Sequence, residues 1–177
     1  EALTQRPRDL FAHVSQCLRR ELTELIPLPE TKLKSGTVLV VGLGNRGVTP
    51  DSLGPRVAER VFVTRHIKEH MPEAFDFDIP SVCAIAPGVL GVTGVETMDI
   101  VFGVANKVKP DLIIAVDALA SRRAARISTT IQLSDSGISP GSGVGNTRAD
   151  LSRANLGVPV IAVGVPLVVY ASTIFFF

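Results

Sequence analysis

Two aspartates stand where carboxylate chemistry is most plausible: Asp51, in the run G-N-R-G-V-T-P-D-S-L-G-P, and Asp117, directly after the apolar run L-I-I-A-V. A carboxylate just past a uniformly apolar strand is partly desolvated, which raises its pKa, and a second carboxylate nearby raises one of the pair further. Such a pair can share a proton. One member then acts as general base on a water while the other, protonated, donates to the carbonyl oxygen or the leaving amine. Each aspartate also has a plain reading: Asp51 could cap a helix beginning at residue 52, and Asp117 one beginning at Ala118. A shared sheet edge favours chemistry, yet on the residues alone the two readings stay even.

The supporting cast is drawn from the same edge. Asn45 and Thr49 share the loop with Asp51, and a backbone N–H near Gly44 or Gly88 is placed to help an oxyanion. The Gly- and Ser-rich stretch 135–147, with Ser142 and Gly143, is too polar for a core and is expected to line a substrate groove. Ser142 in P-G-S-G-V-G superficially matches the nucleophile elbow of serine hydrolases, but no histidine follows it to complete a triad. V-V-G-L-G-N-R-G after a strand resembles a dinucleotide fingerprint, yet Pro50 breaks the expected helix start, and G-S-G-V-G-N lacks the G-K-[ST] ending of a P-loop. His66 and His70 share a helix face but have no third ligand, and His13 sits apart on another helix, so no metal or cofactor is expected.

Positioning these groups requires a sheet. Residues 37–45 form a continuous β-branched run, the mark of a strand covered on both faces, and 81–88, 111–117, 127–135 and 159–166 read as further strands. Leu10, Val14, Leu18, Leu22 and Leu25 recur at helical spacing and predict an amphipathic helix that ends before Pro27 and packs on the sheet. Residues 52–70 read as one helix with Val57, Val61 and Ile67 inward, and Thr93 with Glu96 forms a capping-box pattern ahead of a helix over 95–108. Alternating strands and helices predict an α/β protein, a three-layer α/β/α sandwich with a mostly parallel central sheet. In such sheets ligands collect at the carboxyl ends of the strands, where both aspartates fall.

The chain of 177 residues, 46% apolar, is expected to form one domain, 1–177. Eighteen basic against seventeen acidic side chains leave a net charge of +1, which argues against nucleic acid as a direct partner. No apolar run is long enough to cross a membrane, the amino end lacks the order of a secretory signal, and Cys17 and Cys83 read as small buried residues in a reduced compartment, so a cytoplasmic protein is expected.

The motifs V-V-G-L-G-N-R-G-V-T-P-D-S-L-G-P-R-V-A-E, A-P-G-V-L-G-V-T-G-V-E-T, K-P-D-L-I-I-A-V-D-A-L-A-S-R, T-T-I-Q-L-S-D-S-G-I-S-P-G-S-G-V-G-N-T-R and L-G-V-P-V-I-A-V-G-V-P, in this order from about residue 22 to about 174, resemble the germination protease family of spore-forming Firmicutes. The resemblance implies an endopeptidase of the spore core, made as a self-processing zymogen and assembled as a homotetramer. Its implied substrates are the small acid-soluble DNA-protecting proteins of the spore. It also implies that the aspartates of the T-P-D-x-L-G-P and D-A-L-A motifs, here Asp51 and Asp117, are catalytic. More distantly the pattern is similar to hydrogenase-maturation peptidases of phosphorylase/hydrolase-like fold, which add a downstream histidine; none follows His70 here, which supports a metal-free acid mechanism. Arg46 and Tyr170 depart from the family's usual aromatic residue and Asp or Asn, and the family's pro-segment and much of its carboxyl-terminal portion are expected to be missing from these residues.

Overall fold

The computed structural model describes residues 8–71, 73, 79–141 and 149–169. In chain order they form α1 (Arg8–Leu25), α2 (Glu30–Ser35), β1 (Thr37–Gly42), a 3-10 turn (Thr49–Asp51), α3 (Leu53–Ala58), α4 (Arg65–His70), β2 (Ser81–Ile85), α5 (Leu90–Thr93), α6 (Thr97–Val108), β3 (Leu112–Ser121), a second 3-10 turn (Ala124–Arg126), β4 (Gln132–Ser134), α7 (Arg153–Leu156) and β5 (Val160–Val169). The sheet order is β2-β1-β3-β5-β4, parallel throughout except for β4, which runs antiparallel to β5. The expected α/β class with a mostly parallel sheet is what the chain adopts. Among the described residues no helix is long and apolar enough to cross a membrane.

Pleating sorts the core into two layers. Leu39, Val41, Ile113, Ala115 and Val160 face α6, where Val101 and Ala105 close over them. Val38, Val40, Leu112 and Ile161 face the other way, under Leu22, Leu25 and Ile26 at the end of α1 and Leu33 of α2. Only the carboxyl-terminal part of α1 docks, since Leu10, Phe11 and Val14 earlier in the same helix stay exposed. Cys17 and Cys83 are free thiols and half-buried rather than core residues.

Four sequence expectations need correction. The helix read over 52–70 is two short helices, because Thr64 is drawn to the sheet: its Oγ donates to the Pro80 carbonyl at 2.7 Å and accepts the Val82 N–H at 2.8 Å. The capping box does not form; Thr93 Oγ donates to the Val95 carbonyl and closes α5, leaving Glu96 to begin α6 without a side-chain cap. The strand read over 127–135 shrinks to Gln132–Ser134. The strand read over 111–117 instead runs on to Ser121, paired with β5 from Ile113 onward with a register shift between Leu119 and Ala120, so Asp117 lies within a strand rather than beyond one.

Candidate active site

The connection β1 to β2 leaves to one side of β1, and the chain then returns past it to β3 on the other side. Between β1 and β3 the strand order therefore reverses, and the crevice at their carboxyl ends is where α/β sheets bind ligands. The last β1–β3 pair is Gly42 with Val116, closed by the Leu43 N–H donating to the Val116 carbonyl at 2.8 Å. Asp117 is the next residue of β3, at the point where β1 leaves.

Asp117 shares its sheet face with Ile113 and Ala115 and is 7% exposed. Burial pushes its carboxyl up to about 7; the Ala118 N–H, donating to Oδ1 at 2.8 Å, opposes the rise, and the nearby Asp51 charge adds to it. No ion pair to Asp117 is seen among the described residues. A carboxyl held this way is half protonated near neutrality, the condition of a proton donor.

Asp51 ends the 3-10 turn that packs against β3 and β5. Its carboxylate does not cap α3. It folds back, with Oδ2 accepting the Asn45 N–H at 2.7 Å. Gly44, at φ +111, makes this possible, because a Cβ there would lie 2.1 Å from the Asp51 carbonyl oxygen and 2.9 Å from Oδ1. Gly54 performs the second close approach: a Cβ on it would stand 2.2 Å from the Leu43 carbonyl oxygen and 2.4 Å from that of Val116. The glycines of the G-L-G run and of S-L-G-P thus serve backbone contact, bringing the Asp51 turn onto the ends of β1 and β3. Ser52, buried behind Asp51, donates from Oγ to the Thr49 carbonyl at 2.9 Å and accepts the Arg56 Nε–H at 3.1 Å, which fixes the turn. Neither Gly54 nor Ser52 was singled out from sequence; the signal was a Gly and a small polar residue directly after the candidate carboxylate.

The other expected residues divide. Asn45 reaches the site through its backbone, while its Oδ1 accepts the Gly47 N–H at 2.9 Å. Thr49 contributes its carbonyl to Ser52, and its side chain is exposed. Gly88 lies past β2 on the same edge, at φ +77, its carbonyl accepting from Thr97 Oγ at 3.3 Å. Ser142 and Gly143 lie outside the described residues. The described residues before them follow β4, which runs from Gln132, beside Gly164, to Ser134, beside Ala162, and Ile138 then pairs with Leu151, both packed on the core layer of Ile113 and Ala115. The expectation that 135–147 lines a substrate groove falls largely on residues outside those described. Arg46 is tied to Glu59 at 2.6 Å, and Tyr170 lies outside the described residues. Among the described residues no group of three His, Cys, Asp or Glu could hold a metal ion.

Comparison with known proteins adds the family. The profile described as "Germination protease" matches residues 1–176. Relatives named germination protease include those of Caldanaerobacter subterraneus subsp. tengcongensis, 56% identical over 97% of this chain and 52% of that protein; Clostridium acetobutylicum, 55% identical over 90% and 49%; and Oceanobacillus iheyensis, 51% identical over 98% and 47%. The chain spans about half the length of these relatives. A solved structure, a [NiFe] hydrogenase maturation protease from Thermococcus kodakarensis, is similar over 81% of this chain and 87% of its own, with 20% identity and a TM-score of 0.46. The chain belongs to the germination protease family.

Proposed function

We propose that this member of the germination protease family is the part of a spore endopeptidase that holds its catalytic carboxylates, and that Asp51 and Asp117 hydrolyse peptide bonds as an acid–base pair. The observation that carries the reading is Asp117 itself: a nearly buried carboxyl, lifted to about 7 by burial, with a second carboxylate acting on it at the sheet's switch point. In the reaction Asp51 takes a proton from water, and the resulting hydroxide bonds to the carbonyl carbon. Protonated Asp117 hydrogen-bonds the developing oxyanion and then gives its proton to the amide nitrogen as the C–N bond breaks. The products are a new carboxyl and a new amine, and the proton held by Asp51 returns Asp117 to its acid form. No cofactor enters this scheme.

The substrates that fit are the small acid-soluble proteins of the spore, unfolded chains able to enter a narrow crevice, and the setting is the cytoplasm of the spore core. Assembly as a homotetramer from a zymogen belongs to the same reading. The test is cleavage of a purified small acid-soluble spore protein, followed by mass spectrometry of the fragments. Asp51→Ala and Asp117→Ala should each cut the rate by about a hundredfold to ten-thousandfold. Full activity in either variant would sink the pair. Loss of cleavage in EDTA would favour a metal-dependent maturation-type route instead, and an inert wild-type chain would favour a non-catalytic scaffold.

A further inference from the structure

β1 leaves the sheet five residues before β3 does. The β1–β3 ladder stops at Gly42 and Val116, whereas β3 continues to Ser121 with β5 on its other side, from Asp117 beside Gly164 to Ser121 beside Val169. Among the described residues no strand pairs with β3 on the β1 side beyond Val116. Backbone polar groups along a strand alternate in direction. Since the Val116 carbonyl points toward β1, where it accepts from Leu43, the main-chain groups of Ala118 and Ala120 point the same way, into the vacated lane. The Ala118 N–H is taken by the Asp117 carboxyl, and among the described residues no strand takes the Ala118 carbonyl or either group of Ala120.

Two of the usual guards are missing along 118–121, although the β3–β5 register shifts between Leu119 and Ala120. Residues 118–121 read Ala-Leu-Ala-Ser, with no proline and no charge to repel an incoming strand. Ala118, Leu119 and Ala120 are half-buried, so the edge is reachable, and the two alanines offer little bulk above it. The lane begins one residue past the candidate acid. We infer that an extended segment of the substrate polypeptide adds itself to the free edge of β3 at Ala118 and Ala120, continuing the lane that β1 vacates, and is thereby drawn between Asp51 and Asp117.

The inference rests on the catalytic reading above and adds how substrate is held. Recognition would run through main-chain amides, which every unfolded chain carries, with affinity set by a short ladder of hydrogen bonds. At about 3.3 Å per residue, a peptide bonded to Ala120 presents a bond level with Asp117 about three residues further along. Folded proteins, whose amides are already paired, would be refused.

The test is a binding measurement on the full chain, using a short fluorescein-labelled peptide from a small acid-soluble spore protein and a set in which single amides are N-methylated. Methylation at alternate positions should weaken binding roughly three- to tenfold, with the intervening positions nearly silent. Ala120→Pro, a change an outward-facing edge N–H tolerates, should weaken binding of the unmethylated peptide by a similar factor. The alternating pattern should persist in Asp117→Ala, which separates holding from cutting: the pattern without cleavage in wild type would overturn the catalytic reading and leave the edge standing. Cleavage with uniform tolerance of methylation would do the reverse. Absence of peptide binding, or a self-association that Ala120→Pro abolishes while peptide binding is unchanged, would also overturn the edge proposal, the latter assigning the lane to a second copy of the chain.

Discussion

Asp111 and Asp117 stand six residues apart on either side of the apolar run 112–116, and the protein treats them in opposite ways. Asp111, at the amino edge, accepts the Thr37 N–H at 2.8 Å and pairs with Lys32 of α2 at 2.8 Å. The lysine first, and then the backbone N–H, hold its carboxyl below the ordinary range. Asp117, at the carboxyl edge, has one backbone N–H, a neighbouring carboxylate and burial, and its carboxyl is lifted to about 7. The first carboxylate ties α2, β1 and β3 together. The second costs the fold stability, and such groups cluster where a protein needs a proton near neutral pH.

The contrast can be broken from the side of the backbone first. Gly54→Ala forces a methyl into the Leu43 and Val116 carbonyls, so it should lower the unfolding free energy by about 2–4 kcal/mol and abolish cleavage together, read by urea denaturation and the peptidase assay. A fully active, equally stable variant would show that the close approach is dispensable.

The next effect concerns pH. Because the folded pKa of Asp117 is raised above its unfolded value near 4, the folded state binds the extra proton between about pH 4 and 7. The stability linked to that proton is full below pH 4 and is lost as pH rises through 7. Asp117→Asn removes the titration and should gain about 1–3 kcal/mol over wild type at pH 8, while matching it more closely at pH 4. With Asp117 as the acid, kcat/KM should also fall as pH climbs past about 7. A flat alkaline limb in an active enzyme would take the acid role away from this residue.

Asp111→Ala gives the smaller and opposite result: a loss of about 1–2 kcal/mol at neutral pH, with cleavage within about twofold of wild type. Breaking the Arg46–Glu59 pair, both partners half exposed, should leave the urea midpoint unchanged.

How far the sequence was readable follows the range of the interactions involved. The apolar run at 37–45 was legible as a covered strand, which the structure ends at Gly42, and the stripe from Leu10 to Leu25 as a helix, of which only the later part docks. The break after Ala58 was hidden, because Thr64 abandons helix for bonds to Pro80 and Val82, sixteen and eighteen residues on. The shortness of β4 was hidden for the same reason: only its antiparallel pairing with β5, over Gln132–Ser134, sets its extent.

For the candidate site itself, the residue types and the motifs around Asp51 and Asp117 were written in the sequence, along with the strand-then-loop setting that places Asp51 at a carboxyl edge. Tertiary structure decided the rest. β5 keeps β3 in the sheet past the point where β1 departs, so Asp117 is buried within a strand and, among the described residues, has no ion-pair partner and no strand beside it on the β1 side. Gly44 and Gly54 let the Asp51 turn close onto that point. A carboxyl's pKa depends on the dielectric and charges around it, and those come from strands that are distant in sequence and adjacent only once the chain has folded.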